Sequence, residues 1–144
     1  MQPAWAWLDP RLFDLLERFG AGACTSEPVF DGENWLHITA SSRVWNSRRT
    51  RALHVWSAKN QKWQLPGAHG EGDFDLGAIA RREARRALGL PLDAPLPKSE
   101  PVEVRVEEVA GYWNTPAHLH LEVVFEFETQ QIEELPQGAR WIAV

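Results

Sequence analysis

The run Arg81-Arg82-Glu83-Ala84-Arg85-Arg86 places four guanidinium groups and one carboxylate within six residues. Guanidinium is planar, permanently charged and matches phosphate oxygens in a bidentate fork, so this run offers attachment points for a phosphorylated ligand. The plainer reading comes first: Arg81 and Arg85 form a solvated helix face, Arg82 is a structural ion-pair partner, and Arg86 is drift without a role. Glu71, Asp73 and Asp75 lie just upstream. A second constellation, His118, His120 and Glu122, alternates along the chain and so shares one strand face. A His-x-His-x-Glu array can bind zinc or another transition metal, although packing or pocket lining is the more ordinary role at such a strand position. His69 follows a glycine turn and is expected to order that loop, while His37 and His54 read as structural. The single cysteine, Cys24, excludes an internal disulfide and a thiolate zinc cluster. Its neighbours Gly22, Ala23, Thr25 and Ser26 supply no base, so it reads as a passive thiol. There is no nucleophile elbow, P-loop or Rossmann glycine pattern.

The elements that must position these groups follow from periodicity and punctuation. Asp9 is an N-cap with Pro10 at the first helical position; Leu12, Phe13, Leu15, Leu16 and Phe19 form an apolar face, and Gly20 stops the helix. Strands are expected over 35–45, 50–56, 62–65, 102–112, 119–127 and 141–144, with 50–56 the hairpin partner of 35–45. Residues 68–73 read as a tight loop, and 130–134 as a short turn. A helix over 75–88 is capped by Asp75, carries Leu76, Ile79, Ala80, Ala84, Ala87 and Leu88 on one stripe, and ends at Gly89. Residues 90–101 hold four prolines and form a rigid connection. The order of elements implies one α/β (α+β) domain over 1–144 with a largely antiparallel or mixed sheet.

Composition agrees with an ordinary globular domain: 144 residues, 44% apolar and 24% charged. The net charge of −5 argues against general nucleic-acid binding, which relies on broad positive surface. No apolar run approaches the roughly 18–20 residues that cross a bilayer, and the N-terminal residues show no signal core, so a reducing, cytoplasmic setting is expected. The eight tryptophans are unusual, and core packing is the expected role for most of them.

The segment 63–90 resembles the Nudix box: glycine, five residues, glutamate, seven residues, Arg-Glu, an aliphatic, any residue, Glu-Glu, any residue, glycine, an aliphatic. Over the box-like stretch 67–90, Arg82, Glu83, Gly89 and Leu90 match, and Ala84 fills the aliphatic position. The first glycine falls on Ala68 with Gly67 beside it; the first glutamate falls on Phe74, and the Glu-Glu pair on Arg86 and Ala87. The stretches His37-Ile38-Thr39-Ala40-Ser41-Ser42, Trp63-Gln64-Leu65-Pro66-Gly67-Ala68-His69 and Ala117-His118-Leu119-His120-Leu121-Glu122 also resemble a bacterial Nudix subgroup. The sequence ends at Val144, where such proteins usually continue into a closing helix.

The resemblance implies a Nudix-type fold, a mixed sheet sandwiched between helices. It also implies metal-dependent hydrolysis of nucleoside diphosphate-linked compounds, in which Mg²⁺ or Mn²⁺ held by oxygen ligands lowers the pKa of the attacking water. Three of the four box glutamates are absent, so the expected activity is weakened or lost. Glu83 is the surviving catalytic and metal-ligand candidate, with Glu71, Asp73 and Glu122 as further ligands of a weakly held ion. Arg82, Arg86 and His69 are candidates for substrate binding, and Gly67 and Gly89 are structural. The alternative is a non-catalytic module that binds a nucleotide or phosphometabolite through Arg82, Arg86 and an aromatic such as Trp45, Trp56 or Trp113. No nucleic acid or membrane partner is expected.

Overall fold

The computed structural model describes residues 2–96, 100–129 and 134–144. A 3-10 turn (Ala4–Leu8) precedes helix α1 (Pro10–Phe19), and another (Gly20–Ala23) follows it. Then come β1 (Val29–Phe30), β2 (Trp35–Trp45), β3 (Arg51–Ser57), β4 (Lys62–Gln64), β5 (Gly67–His69), α2 (Leu76–Leu88), β6 (Glu100–Val109), β7 (His118–Glu128) and β8 (Ala139–Ala143). Asp9 caps α1 through its carboxylate on the Arg11 amide (2.8 Å), and Asp75 caps α2 on the Ala78 amide (3.2 Å). Gly89 closes α2 in the left-handed region at φ 72°, where a side chain would be strained. The expected turn at 130–134 falls almost wholly outside the described residues. Among the described residues no helix is long and apolar enough to cross a membrane.

The strands form one mixed sheet ordered β4-β3-β2-β7-β6, with β1 and β5 also on β2 and β8 on β3. Its centre is the parallel pair β2–β7, in register from Leu36↔Leu119 to Trp45↔Glu128. This pairing sorts the two faces. Leu36, Ile38, Ala40 and Val44 of β2 and Leu121, Val123, Phe125 and Phe127 of β7 join Leu12, Leu15 and Leu16 of α1 and Leu76, Ile79 and Ala80 of α2 in one buried core. The opposite face carries His37, Thr39 and Ser41 beside His120 and Glu122, and it is polar.

β3 follows β2 as its antiparallel hairpin partner, as expected, but the pairing holds only at the turn end, Trp45↔Ala52, and β3 goes on to pair with β4 and β8; most of β2 is already engaged by β7 on one edge and by β1 and β5 on the other. Residues 68 and 69, at the start of the stretch expected as loop, instead join Gly67 in β5 against Thr39, Ala40 and Ser41, which corrects that expectation. That pairing requires glycine, because a Cβ at Gly67 would lie 2.6 Å from both the Ala40 carbonyl oxygen and Ser41 Oγ. The tryptophans also depart from the core reading. Only Trp5 is buried, whereas Trp7, Trp35, Trp56 and Trp113 are exposed.

Cys24 is fully buried, and burial, helped by the negative charge of Asp73, pushes its thiol from 9.0 up to about 12. The folded protein is therefore expected not to react with a thiol reagent at pH 8.5, while the unfolded chain reacts completely. Because the folded value lies above the unfolded one, the stability tied to this proton is whole below pH 9.0 and is lost as pH rises toward 12. Rapid labelling of the folded chain would contradict this.

Candidate functional site

Two clefts flank β5, and Gly67 lines both. The first, about 320 Å³, lies along α2 and is lined by Glu83, Arg86 and Ala87 of the helix, Val55 and Trp56 of β3, Pro66, and the segment from Pro136 to Ala139. Helical spacing explains the triplet, since residues three and four apart share a face. Glu83 is 12% exposed at its side chain, with Arg86 Nη1 at 3.1 Å and Arg82 Nη2 at 3.9 Å. Arg82 in turn donates to Glu71 at 2.5 Å. The one carboxylate lining this cleft among the described residues is thus held between two cations.

The four candidate metal carboxylates do not converge. Glu71 is engaged by Arg82, and Asp73 turns back on its own loop to accept from the Asp75 amide (2.9 Å). Glu122 lies in the other cleft, 3.5 Å from Arg105; burial raises its pKa against the pull of that guanidinium. Phe74, at a box glutamate position, packs edge-on against Trp5 at 6.5 Å while its carbonyl accepts from the Trp5 indole N–H (3.0 Å). Trp5 and Phe74 lie 69 residues apart, so no local pattern signals their contact. Among the described residues the grouped metal-ligating side chains are histidines, not carboxylates. The box positions as they stand do not fit an Mg²⁺ cluster, which demands several oxygen ligands and no competing cation.

The second cleft, about 400 Å³, lies over the polar sheet face. His37, His118 and His120 meet there, and His69 stands beside them with ring centroids 4.7 Å from His37 and 5.6 Å from His120. His69, a candidate for phosphate contact with Arg82 and Arg86, therefore shares the second cleft and not the first. Burial first, and then the neighbouring rings, push His37 down to about 3 and His120 to about 4, so both are neutral at pH 7. His37 looks like a lone core histidine in the sequence. The register His37↔His120 brings it to the others, and only the parallel pairing reveals it.

No protein-family model matches the chain. No curated protein matches it either. Solved structures do. Similar folds include the E. coli dihydroneopterin triphosphate pyrophosphohydrolase, with TM-score 0.60 and 12% identity over 74% of this chain and 80% of that one. A second is the C-terminal domain of mouse MUTYH, solved with human PCNA, with TM-score 0.55 and 16% identity over 74% and 72%. A third is a C. elegans Ap4A hydrolase binary complex, with TM-score 0.53 and 12% identity over 74% and 79%. At these identities the likeness is one of fold. The chain has a Nudix-type α+β fold, a mixed sheet with two helices.

Proposed function

We propose that this Nudix-type fold belongs to a Nudix-family protein that binds a nucleoside diphosphate-linked or similar small phosphorylated compound in the cleft along α2, with metal-dependent hydrolysis weak or lost. The observation that carries the reading is the clamp on Glu83 by Arg86 and Arg82. Where a cation would be coordinated, a guanidinium already stands, and two like charges about 4 Å apart repel by roughly 4 kcal/mol at an effective dielectric of 20. The same guanidinium suits a phosphate. Arg86 is 66% exposed, and Glu83 is the only ion-pair partner found for it among the described residues.

An aromatic surface completes the recognition chemistry. Trp56 is 44% exposed and lines this cleft, so it can stack on a base. Trp45 is committed elsewhere, with its indole N–H on Glu126 (3.0 Å) and Arg49 over its ring (4.9 Å). Trp113 does not line this cleft. The pyrophosphohydrolase and the Ap4A hydrolase of similar fold act on phosphorylated compounds by their names, which agrees with this ligand class. The buried lone thiol suits a reducing, cytoplasmic setting.

The test is equilibrium binding of nucleoside di- and triphosphates and nucleotide sugars in EDTA, followed through tryptophan fluorescence. Binding without metal, quenching Trp56, is expected. No binding in EDTA, with binding restored by Mg²⁺, would overturn the reading.

A further inference from the structure

The second cleft carries a feature independent of the nucleotide reading. One ring nitrogen from each of His37, His118 and His120 lies within 4.8 Å of the others. Two of these rings are fixed in the same tautomer. His37 Nδ1 lies 2.9 Å from the Thr25 carbonyl oxygen, and His118 Nδ1 lies 2.9 Å from that of Pro116. A carbonyl oxygen only accepts, so both Nδ1 atoms carry a proton, and in each ring's neutral form Nε2 presents a bare lone pair. His118 Nε2 and His120 Nε2 face each other at 3.2 Å. In the absence of an ion, His120 can donate to His118, but among the described residues nothing satisfies His37: its Nε2 is buried without a hydrogen-bond partner there. A set of packed, self-satisfied histidines does not account for that orphaned lone pair.

We propose that His37, His118 and His120 bind one divalent transition-metal ion of the zinc class through their Nε2 atoms, leaving a fourth position open to water in the 400 Å³ cleft. Tetrahedral zinc holds nitrogen at about 2.0–2.1 Å, which sets pairs of ligand atoms roughly 3.4 Å apart. The His118–His120 pair already sits near that spacing, and small side-chain rotations bring in the third. Backbone carbonyls holding the distal Nδ1–H groups are the usual support of metal-bound imidazole, fixing tautomer and ring direction. Imidazole nitrogen favours zinc, copper, nickel or iron over Mg²⁺, which prefers oxygen. Three protein ligands with one open position is the arrangement of zinc sites that activate water.

The experiment is calorimetric titration of the full, chelator-stripped chain with Zn²⁺ and, separately, Mg²⁺, with Co²⁺ absorption as a second readout. One Zn²⁺ per chain, no Mg²⁺ heat from this site and a four-coordinate Co²⁺ spectrum are expected. Support groups alone are worth about 10–100-fold in metal affinity, so H118Q and H120Q, both at partly exposed positions, should each weaken Zn²⁺ binding at least about 100-fold. H54Q, a histidine of the same cleft outside the cluster, should leave it unchanged. Nitrogen-15 NMR of the native protein needs no variant: Zn²⁺ should shift Nε2 of His37, His118 and His120. Absence of Zn²⁺ uptake, uptake that persists in the H118Q/H120Q double variant, or shifts confined to other histidines would overturn the proposal.

Discussion

Replacing Arg86 by alanine is expected to weaken nucleoside diphosphate binding about 10- to 100-fold, the range set by losing a charged hydrogen bond worth roughly 1.5–3 kcal/mol. Arg86 is 66% exposed, and its partner Glu83, only 12% exposed, keeps Arg82 Nη2 at 3.9 Å when Arg86 is removed, so the lost pair costs about 1 kcal/mol of stability. The variant should therefore melt within about 3–4 °C of the native protein, so an about 10- to 100-fold loss of affinity reports on the ligand and not on the fold. The same geometry predicts the opposite sign at the partner residue. Glu83→Gln removes a carboxylate that competes with phosphate for Arg82 and Arg86, and should tighten binding several-fold. A metal-centred site would show Glu83→Gln abolishing function. Parallel calorimetric titrations of both variants in EDTA distinguish the two accounts. Unchanged affinity in Arg86→Ala would remove this residue from the ligand's contacts.

The second large effect concerns the backbone that carries Glu71. A Cβ at Gly70 would lie 2.6 Å from the Cys24 carbonyl carbon and closer still to its oxygen. That oxygen also accepts from the Gly72 amide (2.8 Å), tying the loop to the turn after α1. The obstacle is main chain, not a flexible side chain, so Gly70→Ala must shift the loop. Overpacking of this kind costs about 2–3 kcal/mol, or roughly a 5–10 °C fall in Tm for a chain of this size. Gly72→Ala is the comparison: its Cβ meets nothing within 4 Å, but its φ of +89° is unfavourable for a side chain, so a cost of about 1 kcal/mol is expected. Thermal melts of the two variants should separate them by several degrees. Equal melting would show that the Cys24 contact yields easily. Displacing the Gly70 loop should also loosen the Glu71 contact to Arg82, making Glu71 the link between this packing and the cleft.

The difference between what was legible in the sequence and what was not has a physical basis. Helix α2 was plain because Asp75, the apolar stripe and Gly89 agree on start, face and stop. β7 was plain because alternation over 119–127 reflects one apolar and one polar face. β5 was not, because three residues carry no period and their strand character comes from β2 opposite. Phe74 looks like a simple departure from the box until Trp5 is seen against it. The resemblance groups Glu122 and His69 with the α2 carboxylate and arginines, yet Glu122 and His69 line one cleft while Glu83 and Arg86 line the other. The histidine trio needed a parallel register between strands about eighty residues apart, which no local spacing records. Trp7 and Trp35 are exposed, and each meets a neighbouring aromatic, Phe13 and Phe30.

The most direct measurement is product release from a panel of nucleoside di- and triphosphates, dinucleoside polyphosphates and nucleotide sugars, with Mg²⁺ and then Mn²⁺, for the native protein beside an Arg86→Glu/Ala87→Glu variant. With Glu83 clamped by Arg86 and Arg82, the native chain is expected to release product little faster than buffer, and the double variant, with its helix face acidic again, measurably faster. Metal-dependent turnover by the native chain that Glu83→Gln abolishes would contradict the account and make the cleft along α2 a working hydrolase site.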